Sequence, residues 1–589
     1  MTYLFNKPAD FADELAAGFA AANARWVRPV PGGVVAARPA DPGSVAVVIG
    51  GGSGHYPAFA GLVGPGLASG AVLGNLFASP SAQQIISVAR AANSGGGILF
   101  SYGNYAGDVL NFTRAERQLV RDGIPCRQLQ VTDDISSAPA AEISKRRGIA
   151  GDLIVFKVAG AAAAEGASLD EVWRLASHAN DRTRTLGVAF AGCTMPGADQ
   201  PLFSVPPGTM AVGMGIHGEP GIRDLPLSSA DDLADLLMPA LIDERPEGSG
   251  TGSARVALIL NGLGSVKYEE LFVVYRRIDQ RLRDNGITPV DPDVGEFVTS
   301  FDMAGLSLTF CWLDEELERL WGAAASTPAY RKGSVSEPPA APGSARHDSV
   351  VSVRTARPAT AGVPAVVPVA SAASRAAATL GLRAFRAAAA CIDAHVAELG
   401  RLDSVAGDGD HGRGMQRGVH AAVSAAERAS AAGAGLGTLV QLAGDDWADQ
   451  GGGTSGALWG LGLRALGTAL GDEEPPSAAV LAVAISEART QIEEAGGARV
   501  GDKTMLDALA PLITSLTGQV QRDVPLHEAF PAAADAAAAA AQATQSLSPA
   551  VGRARPLAAK SVGSPDPGAV SLALICQAVA AELTNANDS

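Results

Sequence analysis

VAVVIGGGSGHYPAFAG, residues 45–61, decides how the first half of the chain is read. A run rich in β-branched valine and isoleucine ends in three consecutive glycines, then Ser53, Gly54 and His55. β-Branched residues favour an extended strand, and the glycines that follow leave backbone N–H groups open to close approach by a ligand. His55 sits at the tip, and Pro57 keeps the chain from returning at once to regular structure. A phosphate-binding loop is the first reading, but the standard patterns fail. Counted from Gly50 or Gly52, the third glycine of the dinucleotide fingerprint falls on His55 or Pro57. No GxxxxGK[ST] occurs, VGDKT around Lys503 lacks the upstream spacing, and His55 replaces the last glycine of a hydrolase elbow. The loop is either a tight structural turn or a site for some other ligand.

Outward from this stretch the text alternates. Short apolar runs at 45–49, 97–102, 152–158 and 209–213 read as strands, separated by helical stretches such as 81–92 and 168–186. That alternation predicts βαβ units. Further strands at 256–260 and 298–312 flank a helix at 267–285, so residues 1–324 are expected to form an α/β half in two subdomains. Residues 325–370, rich in Pro, Ser, Ala and Gly, read as an extended linker. From 371 to 589 the strand-like runs fade and Ala/Leu-rich helical text takes over, at 372–399, 416–432, 436–448, 477–495, 507–516, 526–546 and 569–584. Gly400 stands where a C-terminal helix cap belongs, and the alanines at 536–541 read as close helix packing. The fold class is multidomain, an α/β half followed by an all-α half.

Composition narrows the function. With 589 residues, several cores are expected. A composition 47% hydrophobic and 18% charged is globular, and a net charge of -16 with no basic patch argues against nucleic acid. The five cysteines are scattered and unpaired in spacing, as expected of reduced thiols in a cytoplasm. The N-terminus lacks a signal layout and no membrane span is expected, so the reading is a soluble cytoplasmic protein.

Two further segments of the first half carry chemistry. SYGNYAGDVLNF (101–112) puts Asp108 just after a strand, where α/β folds place ligands. GMGIHGEPGI (213–222) surrounds His217 with small residues, which is unusual for a packed histidine. A carboxylate and histidines near a substrate hydroxyl form a general-base arrangement, and a neutral histidine can attack a carbonyl. In the second half, LDSVAGDGDHGRG (402–414) gathers Asp403, Asp408 and Asp410. Carboxylates that close repel unless a hard cation neutralises them, which makes this a candidate Mg²⁺ site; a solvated acidic cap is the other reading. GGTSGALWG (452–460), VGDKTMLDAL (500–509) and GRARPLAAKSVGSPDPGAV (552–570) are glycine-and-hydroxyl turns suited to phosphates.

GGGSGHYPAFAG, GNLFASP, GNYAGDVLNF, VFKVAGAAAAEG and GMGIHGEPGIRD, in that order, resemble the substrate-binding domain of the dihydroxyacetone kinase family, and the later motifs resemble its nucleotide-binding domain, an eight-helix barrel. The resemblance implies a phosphotransferase that uses ATP directly on a short ketose. It implies a reversible hemiaminal on His217, Asp108 as the base, and substrate held by Gly52, Ser53, Gly54 and His55, with Gly103 at a substrate-contacting position. It also implies two Mg²⁺ ions on Asp403, Asp408 and Asp410. His411, Gly412, Arg413, Gly414, Thr454 and Ser455 would lie along the phosphates, with Arg553 nearby. Gly497, Met505, Asp566, Pro567 and Gly568 would surround the rest of the nucleotide. A homodimer follows from the same resemblance. The chain departs from the family at Tyr56 and Phe59, where Glu and His are common, and at Gly103, where Lys is common. Loss of that lysine is expected to free space and a hydrogen-bond partner, which favours a four-carbon ketose such as D- or L-erythrulose; neutral drift is the other reading. An FAD-splitting lyase activity of the helical half and a non-catalytic sugar sensor are the alternatives from other classes.

Overall fold

The computed structural model describes residues 2–247, 254–335, 367–407, 409–551 and 558–587, in two compact units, Met1–Pro358 and Ala359–Ser589. Asp408 and Arg553 lie outside the described residues.

The first unit carries two sheets. Six strands, β1 (Val27–Val30), β2 (Gly33–Ala36), β3 (Ala46–Ser53), β4 (Gly70–Leu76), β5 (Ile98–Gly103) and β6 (Cys126–Val131), pair in the order β1-β2-β4-β3-β5-β6. The segment around β3 is parallel, in register Ile49↔Ala71 and Ile49↔Ser101. The unbroken apolar run of β3 is explained by burial on both faces. Val47 and Ile49 point to one core, and Ala46 and Val48 to the other. The helices of this part are α1 (Phe11–Ala22), α2 (Ala82–Ala92), α3 (Ala106–Arg121), α4 (Asp152–Ala164) and α5 (Leu169–Asp181).

The run at 152–158, expected as a strand, is helix α4. Every residue of α4 from Asp152 to Ala163 is buried, so no polar face gives it a helical period. At its Gly160 a Cβ would stand 2.2 Å from the carbonyl oxygen of Leu67, so a bare backbone is what lets the chain cross there. The expected helix at 168–186 stops at Asp181, because Thr183 already opens strand β7 (Thr183–Ala191).

The second sheet adds β8 (Thr209–Val212), β9 (Arg223–Pro226), β10 (Ala254–Gly262), β11 (Ile287–Pro289), β12 (Asp293–Gly295) and β13 (Ala304–Trp312), in the order β11-β10-β13-β7-β8-β9 with β12 also on β10. Residues 298–303, expected to extend β13, form no strand. Helices α6 (Ala230–Asp243) and α7 (Tyr268–Asp284) cover one face through Leu233, Leu237, Leu271 and Ile278. Ala257, Ile259 and Cys311 on the other face join the core that also holds Val47 and Ile49. The two sheets thus share one interior. Helix α8 (Glu315–Gly322) and a hairpin of β14 (Ala325–Ser326) and β15 (Arg331–Lys332) close the unit. Tyr330 is buried and Lys332 Nζ meets Asp291 at 2.8 Å, so residues 325–335, read in sequence as linker, are built into the first unit.

The described residues of the second unit form eight long helices: α9 (Ala372–Asp403), α10 (His411–Ala431), α11 (Leu436–Gly451), α12 (Gly453–Leu470), α13 (Ala478–Gly496), α14 (Leu506–Val520), α15 (Leu526–Ala543) and, after the short α16 (Ala558–Ser561), α17 (Pro567–Asn587). Gly400 lies inside α9 rather than at its cap, and the glycine-rich stretch at 452–460 is the start of α12 rather than a turn. The alanines of α15 pack as expected, with Ala533, Ala534, Ala537 and Ala541 buried. Helix α17 is long and apolar enough by composition to cross a membrane; its Ala569, Val570, Leu572, Ala573 and Cys576 instead line the core of this unit.

Candidate active site

Strand β3 delivers its glycine loop to the segment that precedes β13. Phe301 N donates to Gly54 O at 3.0 Å, Ala58 N to Phe297 O at 3.1 Å, and Thr299 Oγ1 to Tyr56 O at 2.8 Å. Gly54 has φ 113, and a Cβ there would stand 2.7 Å from the rings of Phe77 and Phe301. A Cβ on Gly52 would stand 2.7 Å from the backbone nitrogen of Ala78. Only glycine fits either position. The hydroxyl of Ser53 donates to Gly74 O at 2.7 Å, which fixes the loop to β4.

His55 and His217 meet at the centre of this arrangement. Both are buried, and their Nε2 atoms are 3.0 Å apart. His55 Nδ1 lies 2.7 Å from Thr299 O and so donates, while His217 Nδ1 lies 3.1 Å from the Glu219 carboxylate. With both Nδ1 atoms protonated, two lone pairs would face each other, so the short contact needs one proton shared between the Nε2 atoms. Glu219 also accepts from the backbone N–H of His217 at 3.0 Å and stands 3.8 Å from Arg147, which pairs with Asp134 at 2.7 Å. Aromatic rings box the pair. Phe77 stacks on His55 with centroids 4.8 Å apart, and Tyr105 meets His217 edge-on at 4.7 Å.

Asp108 is buried in the first turn of α3, and its Oδ2 accepts from Ser79 Oγ at 2.8 Å. Phe77, two residues before Ser79, and Tyr105, three before Asp108, both touch the histidine pair. Gly103 ends β5; a Cβ there would lie 3.0 Å from the Tyr105 ring and 3.2 Å from Gly148 O. Phe59 and Tyr56, the other two departures, do not line the box. Phe59 packs under Gly51 and beside Phe156, and Tyr56 lies against Phe19 and is half exposed.

In the second unit helix starts converge. His411 opens α10, with its N–H on Asp403 Oδ2 at 3.3 Å. Its Nε2 donates to Ser571 Oγ at 3.0 Å in the first turns of α17, and its Nδ1 faces Ser455 Oγ at 3.5 Å in the first turn of α12. Burial pushes the His411 imidazolium down to about 4, so the ring is neutral at pH 7. Gly412 has no room for a side chain, since a Cβ would stand 2.1 Å from Val396 O, and Arg413 and Gly414 continue the same turn. Thr454 and Ser455 follow Gly452 and Gly453, both at positive φ. Gly497 is the left-handed cap of α13, and Met505 precedes α14, 3.6 Å from where a Cβ of Gly568 would be. Asp566 caps α17 through Ala569 N at 2.7 Å, ahead of Pro567 and Gly568. Helix starts present bare N–H groups, so this end of the unit suits an anion such as a phosphate.

Burial, with Asp403 and Asp507 adding repulsion, pushes the Asp566 carboxyl up to about 7. Asp403, whose Oδ2 accepts from the N–H of His411, and Asp410, the residue before α10, supply hard oxygen donors of the kind that fit Mg²⁺. Among the described residues no three His, Cys, Asp or Glu side chains group around a metal position; Asp403 and Asp410 are described, and Asp408 is not.

Sequence reading missed Glu219, Phe77, Ser79, Tyr105, Arg147 and Thr299. The first four lie inside motifs already singled out for their neighbours, so the motif text was a usable signal. Thr299 and Arg147 carry none.

The Dak1 domain matches residues 17–329 and the DAK2 domain residues 405–581. The two together, in this order, define an ATP-dependent kinase with an α/β and an all-α half. The chain belongs to the dihydroxyacetone kinase family, in its single-chain form. It is 57% identical over 588 residues to an L-erythrulose kinase of Pectobacterium atrosepticum, covering 99% of this chain and 97% of the relative. It is 53% identical over 580 residues to a D-erythrulose kinase of Mycolicibacterium smegmatis, with 98% of each covered. Among solved structures, the dihydroxyacetone kinase from C. freundii in complex with AMP-PNP and Mg²⁺ matches with TM-score 0.51 and 30% identity, over 98% of this chain and 99% of that one.

Proposed function

We propose that the chain phosphorylates a terminal hydroxyl of a short ketose, four-carbon erythrulose ahead of three-carbon dihydroxyacetone, as a cytoplasmic homodimer using ATP and two Mg²⁺ ions. The observation that carries this reading is the array Glu219–His217–His55. Glu219 holds the proton of His217 on Nδ1, which leaves the Nε2 lone pair as a nucleophile. That lone pair forms a bond to the ketone carbon while the C=O π bond opens. The oxygen takes the proton held between the two histidines, and a hemiaminal results. The positive charge left on the His217 ring is balanced by Glu219. Glycerol has no carbonyl and is excluded by chemistry rather than by fit.

Asp108, held by Ser79, then accepts the proton of the terminal hydroxyl as its oxygen attacks the γ-phosphorus and ADP leaves. Asp403, Asp408 and Asp410 would hold Mg²⁺, which offsets charge on the phosphates. Names alone do not choose an enantiomer, since relatives of similar identity act on D- and on L-erythrulose. The larger substrate is supported by the relatives at 57% and 53% identity, both named erythrulose kinases; Gly103 adds no support, because Tyr105 and Gly148 crowd the place a side chain there would take.

The test pairs kinetics with ¹³C NMR on ketose labelled at the carbonyl. With wild type the carbonyl resonance is expected to give way to a tetrahedral carbon. His217→Ala removes that signal and lowers kcat/KM about a hundred-fold or more, and Asp108→Asn keeps the signal while turnover is lost. A carbonyl resonance that persists at saturating enzyme overturns the hemiaminal. Equal or better kcat/KM for dihydroxyacetone than for both erythruloses overturns the four-carbon assignment.

A further inference from the structure

Arg147 lies between β6 and α4, and its side chain is 12% exposed. Its Nε donates to Asp134 Oδ2 at 2.9 Å, and Nη2 donates to Gly213 O at 3.3 Å. Its Nη1 stands 3.8 Å from Glu219 Oε2. Gly213 begins the loop between β8 and β9, and Glu219 follows His217 in that loop, so one guanidinium reaches the loop on both sides of His217. The approach needs the bare backbone of Gly215, where a Cβ would stand 2.2 Å from Glu219 Oε2 and 2.7 Å from Arg147 Nη1. Glu219 turns Oε2 to the backbone N–H of His217 and Oε1 to Nδ1. At 3.8 Å, Nη1 gives Oε2 a neighbouring charge rather than a hydrogen bond.

We infer that Arg147 is a positioning residue for capture of the ketone, acting through Glu219: its cation keeps Glu219 ionised and turned to Nδ1 of His217. This rests on the hemiaminal reading given above. While His217 is neutral, Asp134, Arg147 and Glu219 together carry one net negative charge, and the positive ring formed on capture neutralises it. Without Arg147 the carboxylates of Asp134 and Glu219, 2% and 5% exposed, would have no cation between them. Buried like charges favour uptake of a proton. A protonated Glu219 neither fixes the proton of Nδ1 nor balances a positive ring. Burial opposes the charge of Arg147 itself, but Asp134 and then Glu219 more than offset this and hold the guanidinium above its ordinary value. The titratable groups facing Glu219 are His217, with His55 beyond it, Arg147, with Asp134 beyond it, and Tyr105, whose hydroxyl burial keeps protonated.

The test follows kcat/KM and the tetrahedral ¹³C signal from about pH 6 to 9 in Arg147→Met and Arg147→Lys, each as a ratio to wild type at the same pH. In Arg147→Met both ratios are expected to fall about ten-fold or more at pH 7 and to recover as pH rises, because higher pH returns Glu219 to its charged form. Arg147→Lys keeps a cation beside both carboxylates and stays within about three-fold of wild type at every pH. Thermal unfolding of each variant shows that it is folded. The double variant Asp134→Asn/Arg147→Met removes the cation without stranding the Asp134 charge, and it takes the place of Arg147→Met if that protein does not fold. No fall in Arg147→Met, a fall that is equal at every pH, or an equal fall in Arg147→Lys overturns the inference and leaves Arg147 a structural clamp. Failure of the hemiaminal reading shows separately, as a wild type without a tetrahedral signal; the pH dependence of the kcat/KM ratio still decides the role of Arg147 in that case.

Discussion

In the proposed mechanism Glu219 sets which nitrogen of His217 is free to react, and the pair is only two residues apart in sequence. The backbone turns so that the same carboxylate takes both the N–H and the Nδ1–H of His217. Glu219→Gln leaves the shape nearly intact but can present an amide N–H to Nδ1, which drives the proton to Nε2 and removes the lone pair. Tautomer and charge losses of this kind cost about ten- to a hundred-fold or more. We expect kcat/KM for the ketose to fall by at least that range and the tetrahedral ¹³C signal to weaken with it. Wild-type values for both would refute the tautomer role. His217, Asp108 and His55 stand out in the sequence because each lies in a glycine-rich motif, where bare backbone flanks a polar side chain, and the fold brings His55 and His217 together. Their partners were not legible in it, because Thr299 and Arg147 are ordinary residues until the chain folds them against the histidines.

Helix α4 shows how a buried element misleads a reading by period. Its sequence is apolar on every side because every side is covered, so the text has neither the strand alternation nor the helical stripe. It carries one internal cation, Lys157, which is buried and donates to Leu320 O at 2.9 Å, tying α4 to α8. Burial, with Lys332 adding repulsion, lowers the Lys157 ammonium to about 8. Below pH 8 the lysine is charged in folded and unfolded chains alike, and folding bears the full desolvation cost. Between pH 8 and the unfolded value the folded state has shed its proton while the unfolded chain keeps it, so the cost is relieved as pH rises. Lys157→Met has no such cost at any pH. The stability of Lys157→Met relative to wild type is therefore expected to fall, by on the order of 3 kcal/mol, as pH goes from 7 to 10.5. Denaturant midpoints of both proteins across that range measure it, and a pH-independent difference would show that the lysine is not perturbed.

On the proposed mechanism the two units divide the chemistry, one holding the histidine pair proposed to capture the carbonyl and the other the convergent helix starts with their aspartates. Capture of the ketose then needs no cation, whereas transfer of a phosphoryl group does. Treatment of the whole protein with a chelator is expected to abolish formation of the phosphorylated ketose and to leave the tetrahedral ¹³C signal in place; excess Mg²⁺ restores turnover. Loss of the signal together with turnover would refute the division. This division into an α/β and an all-α half was plain in the sequence, because strand-rich and Ala/Leu-rich text differ in composition over hundreds of residues. So was the glycine loop at 45–61, since local backbone demands are written locally. What only the tertiary structure decided is which side chains meet. Phe59 and Tyr56 pack away from the histidines, Tyr105 lies against both Gly103 and His217, and Asp152 comes up to the closely packed Gly103 and Gly148 from a helix that the sequence presents as a strand. Contacts between residues tens to hundreds of positions apart depend on how sheets and helices pack, and no local pattern in the chain encodes them.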